Sequence, residues 1–293
     1  MTVSTLLPVG GTHFIEPRLE PVMLSNRLKR IVLALAGESG ARRLRRAYLS
    51  RTVARNRQIH EREMRVLPSL VRKGDVVADI GANVGLYTTV LADLVGSTGK
   101  VYAFEPIEDN YEILLEVIRR AGLRNVQAKK LALGRAFGTG RMVIPSAHEM
   151  EGYYQAHLTN GDGEHGRHET VSITSIDALC DSGELTDPNM IKCDVEGGEL
   201  DVLAGAARML ERARPTMLIE VSRTTSDACF QFLADLGYRA FVFDGARCVP
   251  TSHYLHQQYS NYFFAHSDSE SSMLLSNLVL DASPSPGGRD TAG

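Results

Sequence analysis

A short glycine-containing stretch has the residue types of a ligand-binding turn. It runs from Asp75 to Gly85 with the sequence DVVADIGANVG. The apolar run before Gly81 is too short for a buried helix and predicts a strand, whereas apolar residues from Val84 onward recur at helical spacing. Glycine at 81 and 85 permits a tight bend and the close approach of a ligand, and the first N–H groups of the helix favour an anionic group. The sequence therefore predicts a site for an anionic or nucleoside-bearing molecule.

The spacing of the glycines narrows the class of ligand. A dinucleotide site usually has the pattern G-x-G-x-x-G, but here Asn83 replaces the second glycine and Leu86 the third. The pattern is instead Asp79-x-Gly81-x-x-x-Gly85, which resembles motif I of class I S-adenosylmethionine (SAM) methyltransferases. A glycine turn that serves packing alone is the competing interpretation.

An acidic residue stands at the expected distance from this turn. Lys100–Glu105, with the sequence KVYAFE, predicts a second strand that ends in Glu105, about 20 residues past the glycines. At that spacing a carboxylate hydrogen-bonds the ribose hydroxyls of a nucleoside cofactor. A cap on the following helix is the structural alternative for Glu105.

Three more acids follow later predicted strands. Asp194 and Glu196 come at the end of the strand Met190–Val195, and Glu220 lies near the end of Pro215–Val221. Because the carboxyl ends of parallel strands meet at one edge of the sheet, all three acids are expected to face the crevice beside the glycine turn.

The stretch KCDVEGGE carries a more specific resemblance. Together with GANVG, AFEP, LALG and NYFFAH, it resembles the FkbM family of SAM-dependent methyltransferases over roughly Glu61 to His266. Cys193 stands where that family usually has a β-branched apolar residue. The resemblance implies a Rossmann-like fold with a seven-stranded sheet, SAM as the cofactor, and methyl transfer to a hydroxyl of a sugar, polyketide or lipid-linked glycan. The residues assigned to SAM binding are Asp79, Gly81, Ala82, Asn83, Gly85, Glu105 and Leu133.

Methyl transfer to an alcohol requires removal of a proton from a weakly acidic hydroxyl, so a carboxylate or a metal ion must assist. We expect Asp194 to be the general base, with Glu196 orienting substrate or cofactor. In the alternative, Asp194 and Glu220 bind a divalent ion such as Mg²⁺. A third interpretation makes Asp194 only the N-cap of the helix predicted from Glu196 to Leu210.

The elements around these residues predict an α/β fold. Strands and helices alternate as β-α-β-α-β with short connections, which requires right-handed crossovers and a doubly wound sheet. Further predicted elements are a third strand Asn125–Leu133, a turn Gly134–Gly140, a strand Arg141–Pro145, an edge strand Val171–Ile176, and a final hairpin pair Tyr238–Phe243 and Tyr259–His266. Residues 146–168, which hold several histidines, predict a long loop with the role of a lid and no metal-binding spacing.

Length and composition place these elements in one domain. The chain has 293 residues, 43% hydrophobic and 23% charged residues, and a net charge of −3, which favours neither nucleic acid nor membrane. We divide it into a poorly ordered arm (1–20), a basic helical extension (21–68), the methyltransferase domain (69–266) and a loose tail (267–293). The four dispersed cysteines predict reduced thiols, and without a leader or membrane-spanning run we expect a cytoplasmic protein.

The basic extension does not by itself identify what the protein binds. Residues 26–73 carry fourteen arginines and lysines against three acids. Such a segment is either a solvated helical face or a surface for phosphates, and the latter allows two alternative functions: nucleic-acid methylation, or a non-catalytic SAM-binding protein with peripheral membrane contact. The sequence lacks the Asn/Asp-Pro-Pro-Tyr and Pro-Cys motifs of base methylation, so we expect a small-molecule or glycan hydroxyl as the acceptor. It does not indicate an oligomeric state.

Overall fold

A computed structural model describes residues 26–57, 61–144, 157–159, 166–255 and 258–280. The predicted arm, most of the predicted lid with His148 and His165, and the end of the tail lie outside these residues. The described strands are β1 Val76–Ile80, β2 Lys100–Phe104, β3 Val126–Lys129, β4 Ala132–Leu133, β5 Gly138–Ile144, β6 His157–Thr159, β7 Arg167–Thr174, β8 Met190–Cys193, β9 Thr216–Glu220, β10 Tyr238–Phe243, β11 Cys248–Thr251 and β12 Asn261–His266.

Helices connect and cover these strands. They are α1 Asn26–Arg55, α2 Leu67–Leu70, α3 Leu86–Val95, α4 Glu108–Ala121, α5 Ile176–Asp181, α6 Glu199–Ala204, α7 Ala207–Ala213, α8 Ser226–Asp235 and α9 Glu270–Asn277, with a 3₁₀ turn at Arg62–Arg65 before α2. In the part of the chain that the structure describes, no helix has the length and apolar character needed to span a bilayer.

Eight strands form the main sheet in the order β3-β2-β1-β8-β9-β12-β10-β11. The strands from β3 to β9 are parallel, and β12 is antiparallel to both of its neighbours. The predicted doubly wound α/β fold is therefore confirmed. The sheet has one strand more than the seven expected. The additional strand, β11, lies at the edge of the sheet and pairs with β10. The predicted hairpin pair is adjacent, but β12 lies between β9 and β10.

The parallel strands are buried on both faces because successive side chains alternate between two cores. Val77, Met190 and Leu218 pack with α2, α3 and α9 on one face. Ile191 and Met217 pack with α6, α7 and α8 on the other. This arrangement fixes the strand ends on which the predicted site residues lie.

A second sheet, β4-β7-β5-β6, corrects several sequence predictions. The predicted strand Asn125–Leu133 is two strands in different sheets, and the predicted turn Gly134–Gly140 includes the start of β5. β7 pairs with both β4 and β5, so it is not an edge strand. The local patterns could not reveal these pairings, because each depends on a partner far away in sequence.

Two helices also differ from expectation. The helix predicted from Glu196 to Leu210 is divided into α6 and α7 around Gly205, where a Cβ would lie 2.0 Å from the carbonyl oxygen of Gly134. The predicted loose tail contains α9, whose Leu275 is fully buried. Packing of a few apolar side chains stabilises this short helix, which local propensity alone would not.

The basic extension packs on the domain. Leu49 and Val53 of α1 contact Val84, Ile113 and Val117. Several of its arginines bind the domain or neighbouring residues, with partners Asn110 for Arg45, Glu112 for Arg46, Asp93 for Arg57 and Glu63 for Arg62. Arg42, Arg43, Arg51 and Arg55 are exposed. Whether this outer face binds phosphates stays a prediction.

Candidate active site

The glycine turn and the end of β8 are in direct contact. Gly81 has a φ of +73°, and a Cβ at this position would lie 1.8 Å from the carbonyl oxygen of Asp194. The Asp194 N–H in turn donates to the carbonyl of Ile80 over 3.0 Å. Only glycine fits this contact, so the two predicted parts of the site are built against one another.

A buried lysine that the sequence analysis missed lies between them. Lys192 on β8 is the register partner of Asp79 on β1, and both side chains are buried. Its Nζ donates to Asp194 Oδ2 at 3.1 Å and to the carbonyl oxygen of Gly81 at 3.3 Å. Burial lowers the pKa of Lys192, but the carboxylates of Asp194 and Asp79 outweigh that effect and raise it above its ordinary value. The lysine is therefore a fixed positive charge that orients Asp194.

The basic extension adds a third carboxylate to this cluster, beside Asp79 and Asp194. Glu61 accepts a hydrogen bond of 2.5 Å from the hydroxyl of Tyr87 on α3, and Lys192 Nζ lies 4.9 Å from the Tyr87 ring centroid. Burial raises the pKa of Glu61, an effect that the Tyr87 hydrogen bond and the charge of Lys192 reduce. A charged residue inside the apolar strand MIKC was the one sequence signal for Lys192, whereas nothing local indicates Glu61 or Tyr87.

The carboxylate of Glu105 is directly beside the glycine turn. One oxygen accepts from the N–H of Asn83 at 2.8 Å and the other from the N–H of Ile107 at 2.9 Å. Burial raises the pKa of Glu105 to about 7, although these two N–H groups lower it in part. Its side chain thus joins the turn to the segment that follows β2. The ribose-binding role of Glu105 stays a prediction.

Glu220, at the end of β9, interacts electrostatically with Asp194, Lys192 and Glu196. Burial, followed by the charge of Asp194, raises the pKa of Glu220 to about 8, and Glu196 adds to the shift. Glu196 is exposed, with a φ of +50°. Among the described residues, no group of three or more His, Cys, Asp and Glu side chains is arranged to hold a metal ion. The roles of Asp194 and Glu220 as metal ligands, and of Glu196 as an orienting residue, stay predictions.

The helix-cap interpretation of Asp194 is wrong. Helix α6 begins at Glu199, its N-cap position is Gly198, and no side chain caps it. Of the other predicted cofactor residues, Ala82 is buried in the turn, and Leu133 is buried on β4 within the main core. The four cysteines are free thiols in the structure.

The turn also has unused hydrogen-bonding capacity of the kind a polar ligand would satisfy. Asp79 Oδ2 accepts from the hydroxyl of Thr88 at 2.6 Å, but Asp79 Oδ1 and Asn83 Oδ1 are buried with no hydrogen-bond partner among the described residues. Buried polar atoms normally have partners. These atoms, with Glu105 and the close-packed glycines, fit the amino acid and ribose parts of SAM.

The raised pKa of Glu105 predicts pH-dependent cofactor binding. Protonation removes the carboxylate charge that accepts hydrogen bonds from the ribose, so the affinity for S-adenosylhomocysteine (SAH) should fall as pH drops below about 7, by up to about tenfold per pH unit. Calorimetric titration between pH 5.5 and 8.5 measures this slope. Glu105→Gln should bind weakly and without the slope; a wild-type affinity that is constant over this range would contradict the assignment.

The fold and the turn together define the class of protein. A doubly wound sheet with a final antiparallel strand, a glycine turn after β1 and an acid after β2 constitute the class I SAM-dependent methyltransferase fold. The Methyltransferase FkbM domain model matches residues 79–240, more than half of the chain. The chain belongs to this family.

The chain is also similar to individual proteins. The chain is 31% identical over 149 residues to the hexuronic acid methyltransferase AglP of Haloferax volcanii, a match that covers 50% of this chain and 56% of AglP. The chain thus spans little more than half of that relative's length. The crystal structure of methyltransferase FkbM from Methylobacillus flagellatus shows 18% identity and a TM-score of 0.45, covering 78% of this chain and 60% of the other. A SAM-dependent O-methyltransferase from Thermotoga maritima shows 15% identity and a TM-score of 0.41, with coverage of 74% and 71%.

Proposed function

We propose that the protein transfers the methyl group of SAM to a hydroxyl of a sugar. The observation that carries the proposal is the carboxylate of Asp194, which pairs with buried Lys192 at 3.1 Å and adjoins the glycine turn through its own backbone. The side chain of Asp194 is 31% exposed, so an acceptor can reach it from the crevice. Membership in the FkbM family supports methyl transfer as the reaction.

Each group has a distinct part in this reaction. SAM, when bound, supplies an electrophilic methyl group on a sulfonium. Glu105 would hold the ribose, and the turn around Gly81 and Asn83 would hold the amino acid part. With SAM bound, the acceptor oxygen would form a bond to the methyl carbon as the carbon–sulfur bond breaks, and the electron pair of that bond would stay on sulfur. The hydroxyl proton passes to Asp194, the general base. Lys192 keeps the base oriented throughout.

The surroundings of Asp194 favour a neutral acceptor group. Glu61, Glu196 and Glu220 all interact electrostatically with this part of the site. If the group to be methylated were a carboxylate, these acids would repel it, whereas they do not repel a hydroxyl. AglP is named for hexuronic acid, which supports a sugar as the acceptor class. We therefore propose an ether-forming reaction at a sugar hydroxyl, in a cytoplasmic protein that needs no nucleic acid.

The experiment is methyl transfer from tritiated SAM to a panel of acceptors at pH 8: neutral oligosaccharides, hexuronate-containing oligosaccharides and structured RNA. We expect label in a sugar fraction that survives mild alkali, since a methyl ether is stable where a methyl ester is hydrolysed. Labelled RNA, or label released by alkali, would contradict the proposal. An arm with EDTA and added Mg²⁺ separates the metal-free base from the metal alternative.

A further inference from the structure

The basic extension (21–68), of which the structure describes residues 26–57 and 61–68, lies before residues 79–240, which the family model matches. It nevertheless contacts the cofactor turn. Leu49 and Val53 of α1 pack against Val84, which is part of that turn, and against Ile113 and Val117 of α4. Helix α1 is therefore held in a fixed position over α4 and the turn.

A line of polar contacts runs from α1 to the predicted ribose carboxylate. Arg45 Nη2 donates to Asn110 Oδ1 at 3.0 Å, and both side chains are buried. The Asn110 side chain also hydrogen-bonds Glu105 and lowers its pKa. Because the amide nitrogen is the only side-chain donor of asparagine, it is the Nδ2 group that faces the carboxylate.

Arg45 decides which end of this amide faces Glu105. An arginine has donors but no acceptor, so it selects the amide oxygen of Asn110 and leaves the amide nitrogen for Glu105. Without Arg45, the amide could rotate and place its oxygen against the carboxylate. Two acceptors facing each other in a buried site repel, which would displace Glu105 from the turn.

We propose that Arg45 is a positioning residue of the cofactor site, which orients Asn110 so that Asn110 holds Glu105 in its ribose-binding position. The proposal rests on the assignment of Glu105 to SAM. The proposal gives the basic extension a role in cofactor binding, in addition to its solvent-exposed helical face. In this proposal the effect of Arg45 is transmitted through the side-chain amide of Asn110.

The test is the calorimetric affinity for SAH at pH 8 of full-length variants, together with their melting temperatures. Arg45→Met retains most of the side-chain volume but has no donor, and it should raise the Kd about tenfold, which is the loss of about one hydrogen bond. Arg46→Met is the matched control, because the neighbouring Arg46 pairs with Glu112 in an exposed contact. This control should change the Kd less than about twofold.

A second variant separates positioning from stability. In Asn110→Asp, a charged carboxylate oxygen still accepts the hydrogen bond from Arg45. The substitution removes the amide nitrogen that donates to Glu105. We expect a melting temperature close to that of the wild type and a Kd raised at least about tenfold, because two carboxylates then face each other. A merely structural role for Arg45 would instead lower the melting temperature of Arg45→Met and leave its SAH affinity normal.

Three outcomes decide the proposal. It is supported if Arg45→Met and Asn110→Asp both weaken SAH binding while Arg46→Met does not. It is overturned if Asn110→Asp binds SAH like the wild type, and also if a folded Arg45→Met does. If the wild-type protein does not bind SAH, the cofactor assignment and the proposed function are both refuted. If the wild type and all variants bind SAH equally well, only the role of Arg45 is refuted.

Discussion

Asp194→Asn is expected to lower kcat for methyl transfer by at least about 100-fold while leaving the Kd of SAH within about twofold of the wild-type value. Asparagine retains the shape of the side chain and a carbonyl oxygen that can accept from Lys192. It cannot accept the hydroxyl proton, so only the chemical step should suffer. The measurement is initial rate at saturating SAM, with affinity determined separately by calorimetry.

The outcome also decides among the roles considered for Asp194. A metal-free base is indifferent to EDTA, whereas a site formed with Glu220 would lose activity on chelation and regain it with Mg²⁺. Asp201→Asn is a suitable control because its side chain is exposed and pairs with Arg135. Near-normal turnover in Asp194→Asn would eliminate both the base and the metal-ligand roles.

Glu105→Ala should weaken SAH binding by at least about 100-fold, which corresponds to about 2.7 kcal/mol and to the loss of two charge-assisted hydrogen bonds to the ribose. The same change removes the acceptor of the Asn83 and Ile107 N–H groups, so part of the loss reflects a less ordered turn. Equilibrium dialysis with radiolabelled SAH at pH 8 measures a Kd that has become too weak for calorimetry.

The control for this substitution is Glu108→Ala, three residues further along the chain. Glu108 is paired with Lys130 at the protein surface, where an ion pair contributes little. Its removal should leave SAH affinity within about twofold. If Glu105→Ala bound SAH as well as Glu108→Ala does, the role of the Glu105 carboxylate would be structural: it would only connect the turn to the residues before α4 through its two hydrogen bonds.

The parts of the site that the sequence predicted are those determined by local chain geometry. Gly81 and Gly85 both have positive φ, and Glu105 follows a five-residue strand with four buried residues, a short apolar run that can be recognised without a distant partner. Asp194 was placed correctly because strand ends in a parallel sheet share one edge. The 1.8 Å approach at Gly81 then gives a reason, invisible in the sequence, why no other residue fits there.

The parts that the sequence did not predict depend on contacts between distant segments. Glu61 and Tyr87 are 26 positions apart, and Arg45 and Asn110 are 65 apart. No periodicity relates such pairs. The second sheet escaped prediction for the same reason, since β4 is two residues long and is defined only by its pairing with β7.

The central claim is that Glu105 binds the cofactor while Asp194 acts on the acceptor, and one calorimetric series tests it without knowledge of the acceptor. SAH is titrated at pH 8 into the wild-type protein, Asp194→Asn and Glu105→Ala. We predict one site in the low micromolar range for the wild type, essentially the same affinity for Asp194→Asn, and no detectable heat for Glu105→Ala. Loss of SAH binding in Asp194→Asn, or its retention in Glu105→Ala, would contradict this division of roles.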